Sequence, residues 1–272
     1  MSSTRALRAL LACMITVIVV IVTACGSATP PKPHRTTPVP PPAAPILGAC
    51  RTLTFAAAAA ASDSTPTVPC SSKHTAVTVA VGTLVAKSQV KTLDINSAAV
   101  QQLLAVSCPK AVEAYVGGRG RTFDLSQIQA LPFVPTPAQI AHGANWYRCD
   151  MVVLAAPNTL AVVTGTMRHA LNPAHALDRW GICGTAAPSS KSFRRVVCSA
   201  HHSWRAIALV DLPRKAAYLA PSTGRAASLA CRKIAAKLAH GALKYSWSFE
   251  WPNKQQWQAG QRFGLCWLPR PH

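Results

Sequence analysis

Acidic residues are scarce in this chain. Asp and Glu together number 8 among 272 residues, against 28 Lys and Arg. They are also scattered, as Asp63, Asp94, Glu113, Asp124, Asp150, Asp178, Asp211 and Glu250. Catalysis by paired carboxylates therefore has little to draw on. Other chemical signatures are missing too. There is no Gly-x-Ser-x-Gly elbow, no His-Glu-x-x-His and no phosphate-cradling Gly-Lys-Thr loop. No Cys-x-x-Cys marks a thiol-redox enzyme. These absences point away from an enzyme and away from any cofactor.

Long apolar runs are also lacking. The run from Leu10 to Val22 is shorter than the roughly 20 residues that span a bilayer. It follows Arg5 and Arg8 and leads into Val22-Thr23-Ala24-Cys25. A basic region, a short apolar core and small residues make a secretory signal. The cysteine after those small residues resembles the lipobox of bacterial lipoproteins. That resemblance implies cleavage before Cys25, acylation of Cys25 and no transmembrane helix in the mature chain. Residues 1–24 are then leader, and the body sits lipid-anchored on the extracytoplasmic face of the cell membrane. Pro30, Pro31, Pro33, Pro38, Pro40, Pro41, Pro42 and Pro45 follow. That density favours extended polyproline II, so residues 25–46 read as a lipidated stalk.

The net charge is +20, and losing Arg5 and Arg8 with the leader lowers it to +18. Inside a cell such a balance would suggest nucleic acid. Outside it, nucleic acid is not expected, and the matching partners are anionic lipid headgroups or acidic wall polymers.

A repeat organises the remainder. Pro135-Thr136-Pro137-Ala138-Gln139-Ile140 through Gly143, Trp146 and Cys149 aligns with Pro252-Asn253-Lys254-Gln255-Gln256-Trp257 through Gly260, Phe263 and Cys266. Further back, Gly48-Ala49-Cys50 matches Gly181-Ile182-Cys183, and Cys70-Ser71-Ser72-Lys73-His74 matches Cys198-Ser199-Ala200-His201-His202. Cys108-Pro109-Lys110 matches Cys231-Arg232-Lys233. Four cysteines in one order, with their flanks agreeing, indicate a duplication. The copies run over 47–154 and 178–268, with 155–177 as a linker or extra strand. The expected fold class is α+β: two tandem small disulfide-stapled domains, each a few antiparallel strands with one main helix.

The expected strands are Cys50–Phe55, Thr67–Cys70, Thr75–Val85, Trp146–Leu154 and Thr159–Thr166 in the first copy. In the second they are Phe193–Cys198, Trp204–Val210, Lys244–Trp251 and Gln261–Leu268. In Thr75–Val85, Val77, Val79 and Val81 share one face and Thr78 and Ala80 the other, as in a half-buried strand. Ala56–Ala61 reads as a loop or single helical turn. Asn96-Ser97 starts a helix whose inner face holds Val100, Leu103, Leu104, Cys108, Ala111, Val112 and Tyr115, with a kink or restart expected at Pro109. Ala227, Ala230, Cys231, Ile234 and Leu238 mark the apolar face of the second helix, and Pro252 opens a short helical turn.

One apolar helix face per domain gives a thin core, which disulfides would reinforce. Four cysteines allow three pairings. Nested pairs are favoured here, Cys50 with Cys149 and Cys70 with Cys108, then Cys183 with Cys266 and Cys198 with Cys231. Opening and closing strands commonly neighbour each other. The spacing Cys70-x-x-x-His74 and Cys198-x-x-x-His202 would also suit zinc. The equivalent sets and the oxidising compartment favour bridges over metal.

His74 and His202 recur, either to bond the turn after the second cysteine to a neighbouring carbonyl or to form a pH-responsive or binding surface. Gly117–Arg121 reads either as a flexible basic turn or as an anion turn, with Arg119 and Arg121 beside backbone N–H groups. Trp257 and Phe263 align with Ile140 and Trp146 and read as core. Trp204 and Trp267 have no aromatic counterpart and are assigned to an interdomain or partner surface.

Gly-x-Cys, Cys-Ser-x-x-His, a helical cysteine and Pro-x-x-x-Gln-Trp-x-x-Gly-x-Arg-x-x-x-Cys together resemble the septum-formation domain family of actinobacteria. Residues 252–266 carry the closest match. The resemblance implies an envelope module linked by name to division, with no catalytic mechanism. The expectation is a binding or scaffolding module at growth or division sites, with an unknown envelope or division protein as partner. The alternatives are an enzyme acting on wall polymers and an envelope sensor.

Overall fold

A computed structural model describes residues 40–84, 94–238 and 245–269. The leader, Cys25 and most of the proposed stalk lie outside the described residues. In chain order the first half holds β1 (Cys50–Arg51), α1 (Phe55–Ala58), β2 (Thr67–Val68), β3 (Ala76–Thr83) and α2 (Ala98–Val116). Then come β4 (Ile128–Phe133), α3 (Pro137–Ala141), β5 (Trp146–Ala156) and β6 (Thr159–Leu160). The second half holds α4 (Ala176–Trp180), β7 (Ile182–Gly184), β8 (Arg195–Val197), β9 (Trp204–Asp211), α5 (Pro221–Leu238), β10 (Ser248–Glu250), α6 (Lys254–Gln258) and β11 (Phe263–Pro269). The fold class is α+β with antiparallel sheets.

Each half makes one sheet. The first runs β2-β1-β3-β5-β4, with β6 added to β5, and the second runs β8-β7-β9-β11-β10. Taken element by element, the two orders are the same. Even an irregularity recurs. Thr78 faces Asp150 and Ala80 faces Cys149, which leaves Val79 as a bulge. Likewise Ala206 faces Trp267 and Ala208 faces Cys266, which leaves Ile207. A bulge at one register in both halves agrees with the duplication expected from sequence.

Local chemistry explains the elements. The Ser97 hydroxyl accepts from the Val100 N–H and caps α2, and Gly117 at φ 72° ends it. α2 runs on through Pro109, so the restart expected there does not occur. Pro109 and Ala105 both lie on the exposed face, so water can serve the carbonyl that the missing N–H leaves unpaired. The repeated Pro–Gln motif is a helix-start device. Thr136 with Gln139, and Asn253 with Gln256, form reciprocal capping boxes at α3 and α6. The repeated glycines, Gly143 at φ 86° and Gly260 at φ 98°, take the left-handed turn that follows.

Several expectations are corrected. The strand expected at Cys50–Phe55 shortens to β1, because Thr54 caps a helical turn from Phe55. β4 was missed; Pro132 within it weakens a strand pattern, and its place at the sheet edge tolerates that proline. β3 is buried on both faces at Ala76, Val77 and Thr78, not on one. Trp267 is fully buried and Trp204 half-buried in a cluster that also takes in Leu125 of the first half, so of the two expected places the interdomain one fits and a free partner surface does not.

The disulfides join Cys50 to Cys70, Cys108 to Cys149, Cys183 to Cys198 and Cys231 to Cys266, with Cα separations of 4.9–5.3 Å. The nested pairing is therefore wrong. Sheet order explains it: β3 lies between β1 and β5, so opening and closing strands stand two spacings apart, roughly 9.5 Å. A disulfide bridges at most about 7 Å between Cα atoms. The first cysteine instead meets the end of its hairpin partner, and the helix cysteine meets the strand beneath it. No bridge joins one half to the other.

The halves nevertheless do not stand apart. The described residues make one compact unit. Trp180 and Val197 of the second half enter the same apolar cluster as Val112, Val116 and Met151 of the first. Gln127 N–H donates to the Trp180 carbonyl at 2.8 Å. The segment 155–177 is woven in as well, with Leu171 in that cluster and its N–H on the Val116 carbonyl.

Candidate functional site

Six of the eight acids pair with arginines: Asp63, Asp124, Asp150, Asp178, Asp211 and Glu250. Four arginines suffice for this: Arg121, Arg148, Arg195 and Arg205. Among the described residues, most lysines and arginines therefore form no ion pair.

The most buried of these pairs form a network that sequence reading missed. Arg148 on β5 donates to Asp150 at 3.1 Å and to Asp63 at 2.5 Å, and its guanidinium lies 4.5 Å from the Phe133 ring centre. Thr78 donates to Asp150 at 2.7 Å and accepts from Arg51 at 2.7 Å. Burial, then the neighbouring Arg148, holds Arg51 below its usual range. Burial pushes Asp150 up against the pull of Arg148, Thr78 and Arg51. Burial also acts to raise Asp63, but hydrogen bonds from Thr65 and Arg148 outweigh it and hold that carboxyl low. A signal was present: Arg148 and Asp150 alternate around Cys149 in an otherwise apolar strand, so they share a face. In the second half the aligned positions are Leu265 and Trp267, with Ala206 for Thr78. One copy is thus polar at its centre and the other aromatic. The network is internal and acts on the fold.

The two histidines make the same bond. His74 Nδ1 meets the Ser72 carbonyl and His202 Nδ1 the Ala200 carbonyl, each at 2.8 Å. His74 is fully buried. His202 lines a cleft of about 400 Å³ with Asp178, Cys198 and Arg205, where Arg205 pairs with Asp178. Ligand atoms of Cys183, Cys198 and His202 lie within 4.8 Å of one another, but the two sulfurs are bonded together and offer no thiolate.

Arg119 is exposed beside the glycine turn, while the Gly118 N–H is taken by the Asn172 side chain. Arg121 is engaged rather than open to an anion. It donates to Asp124 at 2.8 Å, pairs with Asp211 of β9, and stacks 4.5 Å from the Phe263 ring. Burial acts to lower it, but the two carboxylates hold it above the ordinary guanidinium range. Arg121 is a tie between the halves.

That tie stands beside a cleft of about 350 Å³ at the junction. Phe123, Asp124 and Gln129 line it from the first half, and Arg195, Gln261 and Phe263 from the second. Arg195 is held by both oxygens of Glu250 at 2.8 Å, and Gln261 donates to the Phe263 carbonyl at 3.1 Å. Gln129 is exposed on edge strand β4. Rings and side-chain amides on facing walls suit a polar, hydroxyl-rich segment, and clefts between packed units are frequent binding places.

A family described as septum formation matches residues 47–266. The chain belongs to the septum-formation family. No curated protein and no solved structure matches it. The septum-formation match runs through both halves as one domain, which corrects the expectation of two tandem domains. The shared core explains why: Trp180 and Val197 of the second half pack with Val112, Val116 and Met151 of the first, and Leu125 of the first half packs in the cluster of Trp267. Membership supports a role tied to the septum or cell wall. Among the described residues no helix is long and apolar enough to cross a membrane.

Proposed function

We propose that this septum-formation protein is an extracytoplasmic binding or scaffolding module, anchored by lipid at Cys25, whose junction cleft receives a segment of a wall polymer. The cleft between the halves, with amide and phenyl groups on facing walls, carries this reading. The excess of unpaired cations supports it, since a positive surface concentrates acidic polymers by its long-range field. The four disulfides suit an oxidising location.

Two measurements test it. Replacing Gln129 by tryptophan fills the cleft from an exposed strand position. Co-sedimentation with purified wall material should weaken about tenfold, the effect of roughly 1.4 kcal/mol. Unchanged binding, or protein-dependent release of soluble wall fragments, would overturn the assignment. Separately, Cys25→Ser should move the protein from the membrane fraction to the soluble fraction, because acyl chains supply the anchoring energy. Full retention of that variant would remove the lipid anchor.

A further inference from the structure

The outer side of α5 carries a second, chemically different surface. Its inner face, Ala227, Cys231 and Ala235, packs on the second sheet. On its outer side Arg225, Leu229 and Arg232 recur at helical spacing, with Leu229 46% exposed. Between this row and Trp247 runs a groove of about 620 Å³, within the range of about 300–1,000 Å³ typical of ligand sites. Gly224 also lines it. The lining is mostly alkyl and indole surface, with Arg225 and Arg232 contributing to it.

The duplication sharpens the point. Counting back from the helix cysteines, Leu229 corresponds to Val106 on α2, which is 55% exposed. Both copies thus present an aliphatic side chain to solvent at one place. Only α5 flanks it with arginines; the equivalents of Arg225 and Arg232 are Gln102 and Pro109. Neither arginine forms an ion pair among the described residues.

The geometry points to a binding site for an anionic lipid, its alkyl chain in the groove between α5 and Trp247 and its phosphate against Arg225 and Arg232. A wall polysaccharide would leave the apolar groove wet, and a neutral lipid would leave the arginines without a partner. The charge and polarity of the groove fit an anionic amphiphile. This site is distinct from the junction cleft and does not depend on it.

Residues 39–272, which hold the compact unit and all four disulfides, can be tested by vesicle flotation. Binding is expected to mixed phosphatidylcholine–phosphatidylglycerol vesicles and not to phosphatidylcholine alone. Arg232→Glu should weaken it about thirtyfold, as a charge change of two beside an anionic bilayer implies. Leu229→Glu, at an exposed position that leaves the fold intact, should weaken it to a similar degree. Inorganic phosphate at matched ionic strength should fail to displace the vesicles. Equal binding by Leu229→Glu, displacement by phosphate, or no binding at all would overturn the proposal. Wall co-sedimentation of Leu229→Glu should match the parent, so failure of one site is separable from failure of the other.

Discussion

Replacing Arg148 by leucine should lower stability by about 3–5 kcal/mol in urea unfolding, the usual cost of removing one partner of a buried ion pair. Arg148 touches both Asp63 and Asp150 and lies on Phe133, so its loss leaves two buried carboxylates short of a cation. Size is not the obstacle, because the second half has Leu265 at the aligned position. There Trp267 and Ala206 replace Asp150 and Thr78, and the environment is apolar throughout. Changing Arg51, Arg148, Asp63 and Asp150 together to leucine should therefore recover much of the loss, as apolar replacement of a whole set of buried ionic groups often does.

The pH dependence gives an independent reading of the same variant. In the parent, Asp63 is held low and contributes stability that is present above the ordinary carboxylate range and lost as pH falls. Asp150 is pushed up and acts in the opposite sense. Without Arg148 both carboxyls should rise. A raised folded value means stability that is full in acid and lost as pH increases. Unfolding measured at acidic and at neutral pH should show Arg148→Leu losing more at neutral pH. An equal loss at both would mean that packing on Phe133, not charge, makes Arg148 necessary.

Removing the bridge between α2 and β5 should rank next. Cys108 and Cys149 are 41 residues apart, and loop-closure entropy puts the cost of replacing both by alanine at about 4 kcal/mol. Cys183 and Cys198 are 15 apart, and the same double replacement there should cost about 3 kcal/mol. Peptide mapping without reductant should recover Cys50 with Cys70 and Cys231 with Cys266. A peptide joining Cys50 to Cys149 would contradict the sheet order, since β3 separates their strands.

How far the letters reach is clear from particular residues. Ser97 and the turn after Pro252 were legible as helix starts because capping is a contact within one turn, while the matching capping box at Thr136–Gln139 went unread. The alternation of Ala76–Thr83 gives a strand for the same local reason, although not that Thr78 is buried. The junction cleft was illegible, because Gln129 and Gln261 are 132 positions apart and only the packing of the halves makes them face one cleft. Arg121 read as an anion-binding residue because its neighbours in sequence are glycines. Its partners Asp211 and Phe263 come from the other half.

By itself, the order of residues determined the duplication, the α+β class, the family and the presence of four cysteines in each copy, since these rest on matching letters and near-neighbour chemistry. Tertiary structure alone decided which sulfurs meet, that two copies share one core, and where charge is buried. Those outcomes depend on which strands lie side by side, and a chain that satisfies every local preference can still be laid down in more than one strand order.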